Sequence, residues 1–210
     1  MIKLKQFNFT IVELLVVFSV FIILASLLQP SLRKLLSSSK HIQCENNLKA
    51  VYSGILLYTD DYDGTCPGPS WDGQTARIHS KVESIGEFIY PYIGSSTAEN
   101  GDRYVPNMVC PANAESDLDG AVYNRVNFKA KHTSGFGRPF GRPVFRGNAS
   151  KAPKMILEIP SPTKTIALEE ADYNNYPYQG KGRMSANPMH FGVYRNTLYF
   201  DGQITAVAWP

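Results

Sequence analysis

Residues 9–17 of the chain read Phe9-Thr10-Ile11-Val12-Glu13-Leu14-Leu15-Val16-Val17, and they open an apolar segment that ends at Leu28. The four exceptions to its apolar character are Thr10, Glu13, Ser19 and Ser26. A helix needs about 20 apolar residues to cross the hydrocarbon core of a bilayer. The pattern therefore predicts a transmembrane helix over residues 9–28, preceded by a short leader, residues 1–8.

Glu13 is the acidic residue of this segment. A carboxylate near the centre of a membrane span costs about 3 kcal/mol or more, so such groups usually have a partner and a function. A cleaved secretory signal would have a shorter apolar core and a small-residue cleavage site. A plain signal anchor explains the length of the segment, and Glu13 would then lie close to hydrated headgroups.

The helical pattern continues beyond the apolar segment. Apolar residues recur at broadly helical spacing up to Tyr58, and the pattern stops at Asp60-Asp61-Tyr62-Asp63-Gly64. We therefore expect one long helix, whose second half is residues 29–59, followed by a domain formed by residues 60–210. About 150 residues are enough for a single hydrophobic core.

The sequence of the domain predicts both helices and strands. A short helix or turn is predicted over Ile85 to Ile93, and strands over Tyr123 to Lys129 and Met155 to Ile159. The predicted class is α+β, a long N-terminal helix packed on a mostly antiparallel sheet. The net charge is +3 with both signs interspersed, so no basic patch indicates binding to nucleic acid.

The last two strands are predicted to form a hairpin around Asp201-Gly202. Asp-Gly between two runs of β-branched and aromatic residues is a strong hairpin signal, and it predicts a type I′ turn with positive φ at both positions. His190 precedes the hairpin, and a structural hydrogen-bonding role is expected for it, with ligand binding as the alternative.

Glu169, Glu170 and Asp172 are the densest acidic group in the second half of the chain. They are weak candidates for a calcium site, and solvated charges at a strand end are the alternative. No spacing typical of a zinc site is present, so no metal or other cofactor is predicted apart from this calcium candidate.

The start of the chain resembles that of type IV pilins and of the pseudopilins of type II secretion. The motif Phe9-Thr10-Ile11-Val12-Glu13-Leu14-Leu15 is similar to their F-T-L-I-E-L-L, and Pro30 stands where the family commonly has a helix-bending proline. The resemblance implies that a prepilin peptidase cuts between Asn8 and Phe9 and methylates the new amine. Asn8 is a departure, because the family usually has Gly before the cut.

Further segments resemble one branch of this family, in which a His is followed after nine residues by Asp-Gly. Here ten residues separate His190 from Asp201-Gly202. The branch also carries a motif similar to Cys44-Glu45-Asn46-Asn47-Leu48-Lys49, and a Cys-Pro pair that corresponds to Cys110-Pro111. The chain's three cysteines allow any pairing of Cys44, Cys66 and Cys110. The resemblance implies Cys44 with Cys110.

The resemblance also implies a location and a mechanism. The leader, with Lys3 and Lys5, would face the cytosol, and the C-terminal domain would be periplasmic or extracellular on an anchor in the inner membrane. Glu13 would pair with the N-terminal amine of a neighbouring subunit, so the partners are the peptidase, sibling pilin or pseudopilin subunits and the membrane. The expected function is assembly into a pilus or pseudopilus rather than catalysis. Two alternatives are an uncleaved, membrane-anchored module that binds a polymer or glycan, and an anchored hydrolase that uses His190 with Asp201.

Overall fold

The structure is a computed structural model of the 210-residue chain. It describes residues 10–78, 84–112, 126–130, 136–144, 147–176, 188, 190 and 192–208. The predicted cleavage site between Asn8 and Phe9 lies outside the described residues. The chain divides into two compact units, Met1–Ser39 and Lys40–Pro210, so the second unit begins within the predicted second half of the long helix.

A 51-residue helix, α1, spans Ile11–Asp61. It begins with a capping box, because Thr10 Oγ1 accepts from the Glu13 amide at 3.3 Å while Glu13 Oε2 accepts from the Thr10 amide at 2.9 Å. Pro30 lies inside the helix, where its ring nitrogen has no hydrogen to donate. The helix ends at the predicted place: the Gly64 amide donates to Thr59 O at 2.7 Å, with a positive φ of 78° at Gly64.

The N-terminal part of α1 is long and apolar enough to cross a membrane. None of its most apolar 18-residue window is buried inside the chain. Large side chains there are mostly exposed, for example Ile11 at 79% and Phe21 at 68%. Such a continuous apolar surface is unstable in water and suits a lipid environment.

The C-terminal part of α1 belongs to the second unit and has one buried face. Its fully or almost fully buried hydrophobic residues recur three or four positions apart: Cys44, Leu48, Val51, Ile55 and Tyr58. This is the spacing at which side chains share one face of a helix. The predicted apolar stripe is therefore present, and it joins the core of the domain.

Within its described residues, the domain contains a second helix, seven short strands and two 3₁₀ turns. In chain order these are β1 Gly73–Thr75, α2 Gly86–Ile93, β2 Ser96–Thr97, β3 Arg103–Tyr104, a 3₁₀ turn Pro106–Met108, β4 Val126–Ala130, a 3₁₀ turn Ile156–Glu158, β5 Ile166–Glu170, β6 Tyr194–Tyr199 and β7 Ile204–Ala208. The main sheet has the order β1-β4-β5-β6-β7 with every neighbouring pair antiparallel, and β2 pairs with β3 separately. The predicted α+β class is confirmed.

One face of the sheet carries the hydrophobic core. Phe128 of β4, Leu168 of β5 and Leu198 of β6 are fully buried in the same cluster as the apolar stripe of α1. Because side chains alternate between faces along a strand, Glu170 shares the face of Leu168, and Asn196 shares the face of Leu198. The core face of the sheet thus continues from apolar residues into polar ones.

The strand predicted over Met155 to Ile159 is wrong, because the chain forms a 3₁₀ turn over Ile156–Glu158. Pro153 and Pro160 flank the segment, and neither can donate a ladder hydrogen bond. The apolar residues of the segment also do not share one buried face, since Leu157 is 88% exposed. The prediction over Ile85 to Ile93 is confirmed as α2.

The predicted hairpin is present between β6 and β7, but its turn is not type I′. Among the described residues only Gly202 of the Asp-Gly pair has a positive φ, 85°. The Gly202 amide donates to Tyr199 O at 3.0 Å, and the Tyr199 amide donates to Gln203 O at 2.9 Å. This is the longer hairpin loop in which a left-handed glycine follows the turn.

Gly202 also lies against α1, which leads to a prediction about its replacement. A Cβ at this position would lie 2.6 Å from Cε1 of Tyr52, whose hydroxyl donates to Phe200 O at 2.9 Å. We expect Gly202→Ala to lower the free energy of unfolding by about 2 kcal/mol or more, measured by urea denaturation of the full chain in detergent.

Gly101→Ala is the matched control for this prediction. Gly101 has the same φ of 85°, but a Cβ there would meet nothing within 4 Å. Gly101→Ala should therefore lower the free energy of unfolding only by the backbone strain, which is about 1 kcal/mol. Equal costs at the two positions would contradict the role of the contact with Tyr52.

Candidate functional site

The polar end of the core holds four residues with metal-binding or redox-active side chains. We call them the Cys–His–Glu cluster: Cys44 on α1, Cys110 after the first 3₁₀ turn, Glu170 at the end of β5 and His190 just before β6. All four are buried. One ligand atom from each lies within 4.8 Å of the others.

Cys44 and Cys110 form a disulfide, with Cα atoms 5.3 Å apart and 66 positions between them in the sequence. This is the pair that the family resemblance implied. The bond joins the domain half of α1 to the segment that follows β3. Cys66 is the remaining thiol, and burial raises its pKa to about 12. The Cys66 thiol is therefore held protonated and is a poor nucleophile or metal ligand at neutral pH.

The histidine and the glutamate of the cluster are in direct contact. His190 Nε2 lies 2.9 Å from Glu170 Oε1, and both side chains are only 1% exposed. Asn196 of β6 supports the carboxylate, because its backbone amide donates to Glu170 Oε2 at 2.7 Å and its Nδ2 donates to Oε1 at 3.2 Å. Glu170 Oε1 is thereby held toward His190 and the sulfurs.

The two sulfur-bearing side chains lie next to this pair. Cys110 Sγ is 3.7 Å from Glu170 Oε1 and 3.8 Å from His190 Nε2. His41, one turn before Cys44 on α1, packs edge-on against the His190 ring with 4.7 Å between centroids. His41 is partly exposed and faces Glu45 at 3.4 Å, so this pair lies between the cluster and solvent.

A buried ion pair lies on the opposite face of the sheet. Arg195 precedes Asn196 on β6, and its Nη2 donates to Asp172 Oδ1 at 3.0 Å while its Nε donates to Oδ2. The Asp172 side chain is 1% exposed, and its Oδ1 also accepts from the Asn174 amide at 2.8 Å. The two faces of β6 thus each contribute one polar residue to a buried carboxylate.

The structure gives each of the three predicted calcium ligands a different partner. Glu169 pairs with Lys129 at 3.1 Å, whereas Glu170 contacts His190 and Asp172 contacts Arg195. Glu169 and Glu170 also lie on opposite faces of β5. The predicted site residues are therefore adjacent in sequence but are not brought together.

The other predicted site residues are also distributed over the chain. His190 contacts Glu170 and Asn196, whereas Asp201 Oδ1 accepts from the Gln203 amide at 3.0 Å in the hairpin loop. The His–Asp pairing needed by a hydrolase therefore does not occur between them. Glu13 and Pro30 both lie in the first unit, on the apolar part of α1.

A separate basic cleft of about 290 Å³ lies between the described loops 136–144 and 147–154. It is lined by Arg138, Arg142, Lys151, Lys154, Phe136, Gly137 and Ala152. Arg138 Nη2 donates to Asp72 at 2.8 Å, and the Lys154 ammonium lies 5.6 Å from the centroid of the Phe136 ring. The cleft combines positive charge with aromatic surface, which suits an anionic ligand.

Sequence reasoning missed three residues that complete the polar network, namely His41, Asn196 and Arg195. His41 and Cys44 are three positions apart on a predicted helix, so their common face was a usable signal. No pattern in the sequence indicated the roles of Asn196 and Arg195, because these roles depend on which strand lies beside β5.

Comparisons with known proteins identify no relative. No family model matches the chain, and no curated protein or solved structure is significantly similar to it. The functional conclusions below therefore depend on the chemistry of the chain itself and on the sequence resemblance described above.

Proposed function

We propose that the chain is a pilin-like or pseudopilin-like subunit that is anchored in the inner membrane by α1, carries its domain on the outer side of that membrane and assembles with sibling subunits. The observation that supports this most strongly is the apolar part of α1, which is exposed throughout and contains a carboxylate three positions into the helix. Crossing a membrane does not in itself require a carboxylate in the span, and such groups usually have a partner.

Glu13 also caps the helix within a single chain. An experiment must therefore separate this capping role from the proposed role in pairing between subunits. Its Oε2 accepts from both the amide and the hydroxyl of Thr10, at 2.9 and 2.8 Å. This cap satisfies a free amide at the start of the helix but does not neutralise the charge. In a bundle of apolar helices the charge is stabilised by a cation from a neighbouring subunit, because Coulomb attraction is several times stronger there than in water.

The cation that we propose is the amine of Phe9, released when a prepilin peptidase cuts after Asn8. An α-amine has a pKa near 8 and is largely protonated at neutral pH. Phe9 is the fourth residue before Glu13. The amine of one subunit and the carboxylate of the next then set their relative position along the fibre axis. The peptidase and sibling subunits are the partners in this proposal.

Two substitutions distinguish the charge of Glu13 from its capping hydrogen bonds. Glu13→Gln keeps an oxygen that accepts from Thr10 but removes the charge. Thr10→Ala removes the hydroxyl of the capping box but keeps the charge and the backbone amide of residue 10. We expect Glu13→Gln to lower the assembled fraction by about tenfold or more, and Thr10→Ala to change it by less than about twofold. The measurement is the fraction of the chain, expressed from its complete sequence, that is cross-linked to a second copy in cells of its host, with membrane insertion checked separately.

Either of two results would contradict the proposal. One is equal assembly of the Glu13→Gln variant and the unsubstituted chain, and the other is a loss caused by Thr10→Ala alone. In that case the basic cleft would favour the second candidate function, a membrane-anchored module for an anionic polymer. That function requires no contact between copies and no cleavage after Asn8.

A further inference from the structure

We propose that the Cys–His–Glu cluster is a zinc site in the reduced chain, and that zinc and the Cys44–Cys110 disulfide are alternative cross-links between α1 and the sheet. This inference does not depend on the function proposed above. The four donor atoms are two sulfurs, an imidazole nitrogen and a carboxylate oxygen. Zinc binds thiolate, imidazole and carboxylate ligands, and its structural sites are tetrahedral, whereas calcium takes oxygen ligands alone.

The distances between the donor atoms are close to those of a tetrahedral site. With zinc bonded to sulfur at about 2.3 Å and to nitrogen or oxygen at about 2.0 Å, a sulfur and a nitrogen ligand lie about 3.5 Å apart. Cys110 Sγ is 3.8 Å from His190 Nε2 and 3.7 Å from Glu170 Oε1. His190 Nε2 and Glu170 Oε1 are 2.9 Å apart, against about 3.3 Å around a metal.

The main change that this geometry requires is the opening of the disulfide. The two sulfurs need to be about 3.8 Å apart around zinc. Because the Cα atoms are 5.3 Å apart, rotation of the two cysteine side chains provides this separation without moving the backbone. The same backbone arrangement therefore serves both cross-links.

The residues that surround the four ligands also favour metal binding. The Asn196 amide holds Glu170 Oε2 at 2.7 Å, which leaves Oε1 directed at the cluster. Such hydrogen bonds orient ligands and raise metal affinity. Among the described residues, Asn196 Oδ1 is buried without a hydrogen-bond partner, so the polar cluster is not fully satisfied as it stands. His41 and Glu45 lie between the cluster and solvent and provide a polar entry path.

Zinc binding by the newly made chain needs no reductant, and formation of the disulfide needs a two-electron oxidant. In the newly made chain Cys44 and Cys110 are thiols, and binding converts them to thiolates: two Cys–SH and one Zn²⁺ give the bis-thiolate complex and two protons. A small-molecule disulfide then converts the complex to the Cys44–Cys110 disulfide. Two electrons pass from the cysteine sulfurs to that oxidant, which leaves as two thiolates, and Zn²⁺ is released.

The test is zinc binding by the full chain in detergent, with Zn²⁺ itself as the probe. The chain is reduced with a phosphine under argon, freed of reductant, and titrated against a chromophoric chelator. We expect one equivalent of zinc on the reduced chain and none at comparable affinity on the oxidised chain. X-ray absorption of the zinc-loaded chain should show two sulfur ligands and two nitrogen or oxygen ligands, and this measurement requires no substitution.

Matched variants locate the metal within the chain. His190→Ala and Glu170→Gln should lower the zinc affinity by at least about tenfold to a hundredfold. Cys66→Ala, which removes the cysteine outside the cluster, and Glu169→Gln, which changes the carboxylate on the other face of β5, should leave it within about twofold. Absence of zinc binding by the reduced chain, binding without sulfur ligands, or loss of binding with Cys66→Ala would overturn the proposal.

Discussion

Replacing both Cys44 and Cys110 with alanine is expected to lower the free energy of unfolding by about 4 kcal/mol. The disulfide closes a loop of 66 residues, and the loss of chain entropy in the unfolded state grows with the logarithm of loop length. The measurement is urea or guanidinium denaturation of the full chain in detergent. A metal chelator is present throughout, so that zinc cannot replace the missing bond.

Cys66→Ala is the control for this prediction. It removes a fully buried thiol but opens no loop, so it should cost only about 1 kcal/mol. If the double substitution costs no more than Cys66→Ala, the disulfide does not stabilise the domain. Reduction of the unsubstituted chain under the same conditions should reproduce the effect of the double substitution.

The second large effect is expected from Arg195→Met, which should lower the free energy of unfolding by about 3–5 kcal/mol. The Asp172 carboxylate is 1% exposed, and Arg195 gives it two hydrogen bonds. Methionine preserves much of the side-chain volume but leaves a buried charge without its counter-ion, which is the costly way to break such a pair.

Two further variants test this explanation. Adding Asp172→Asn to Arg195→Met removes the uncompensated charge while keeping an oxygen for the Asn174 amide, so it should recover part of the loss. Arg77→Met breaks an ion pair with Asp102 that is 35% and 24% exposed, and it should cost no more than about 1 kcal/mol. Similar losses from Arg195→Met and Arg77→Met would show that burial of the charge is not the cause.

Features of the fold that depend on adjacent residues could be predicted from the sequence, and features that depend on distant residues could not. The end of α1 shortly before Gly64 and the hairpin around Gly202 were predictable, because both depend on a few adjacent residues and on the freedom of glycine to adopt positive φ. The turn type was not, because it depends on the register of β6 against β7, in which the Tyr199 amide donates to Gln203 O and leaves a three-residue loop. The error at Met155–Ile159 arose because a short apolar run carries no period that distinguishes strand from turn.

The sequence by itself determined the membrane-length helix, its continuation into the domain and the α+β class, because apolar length and periodicity are properties of consecutive residues. Tertiary structure alone decided which polar residues meet. Cys44, Cys110, Glu170 and His190 come from four segments that lie 66, 60 and 20 positions apart. They converge because strand order sets β6 beside β5 and because α1 packs on the same face of the sheet. No local spacing encodes that contact, so its chemistry became visible only in the folded chain.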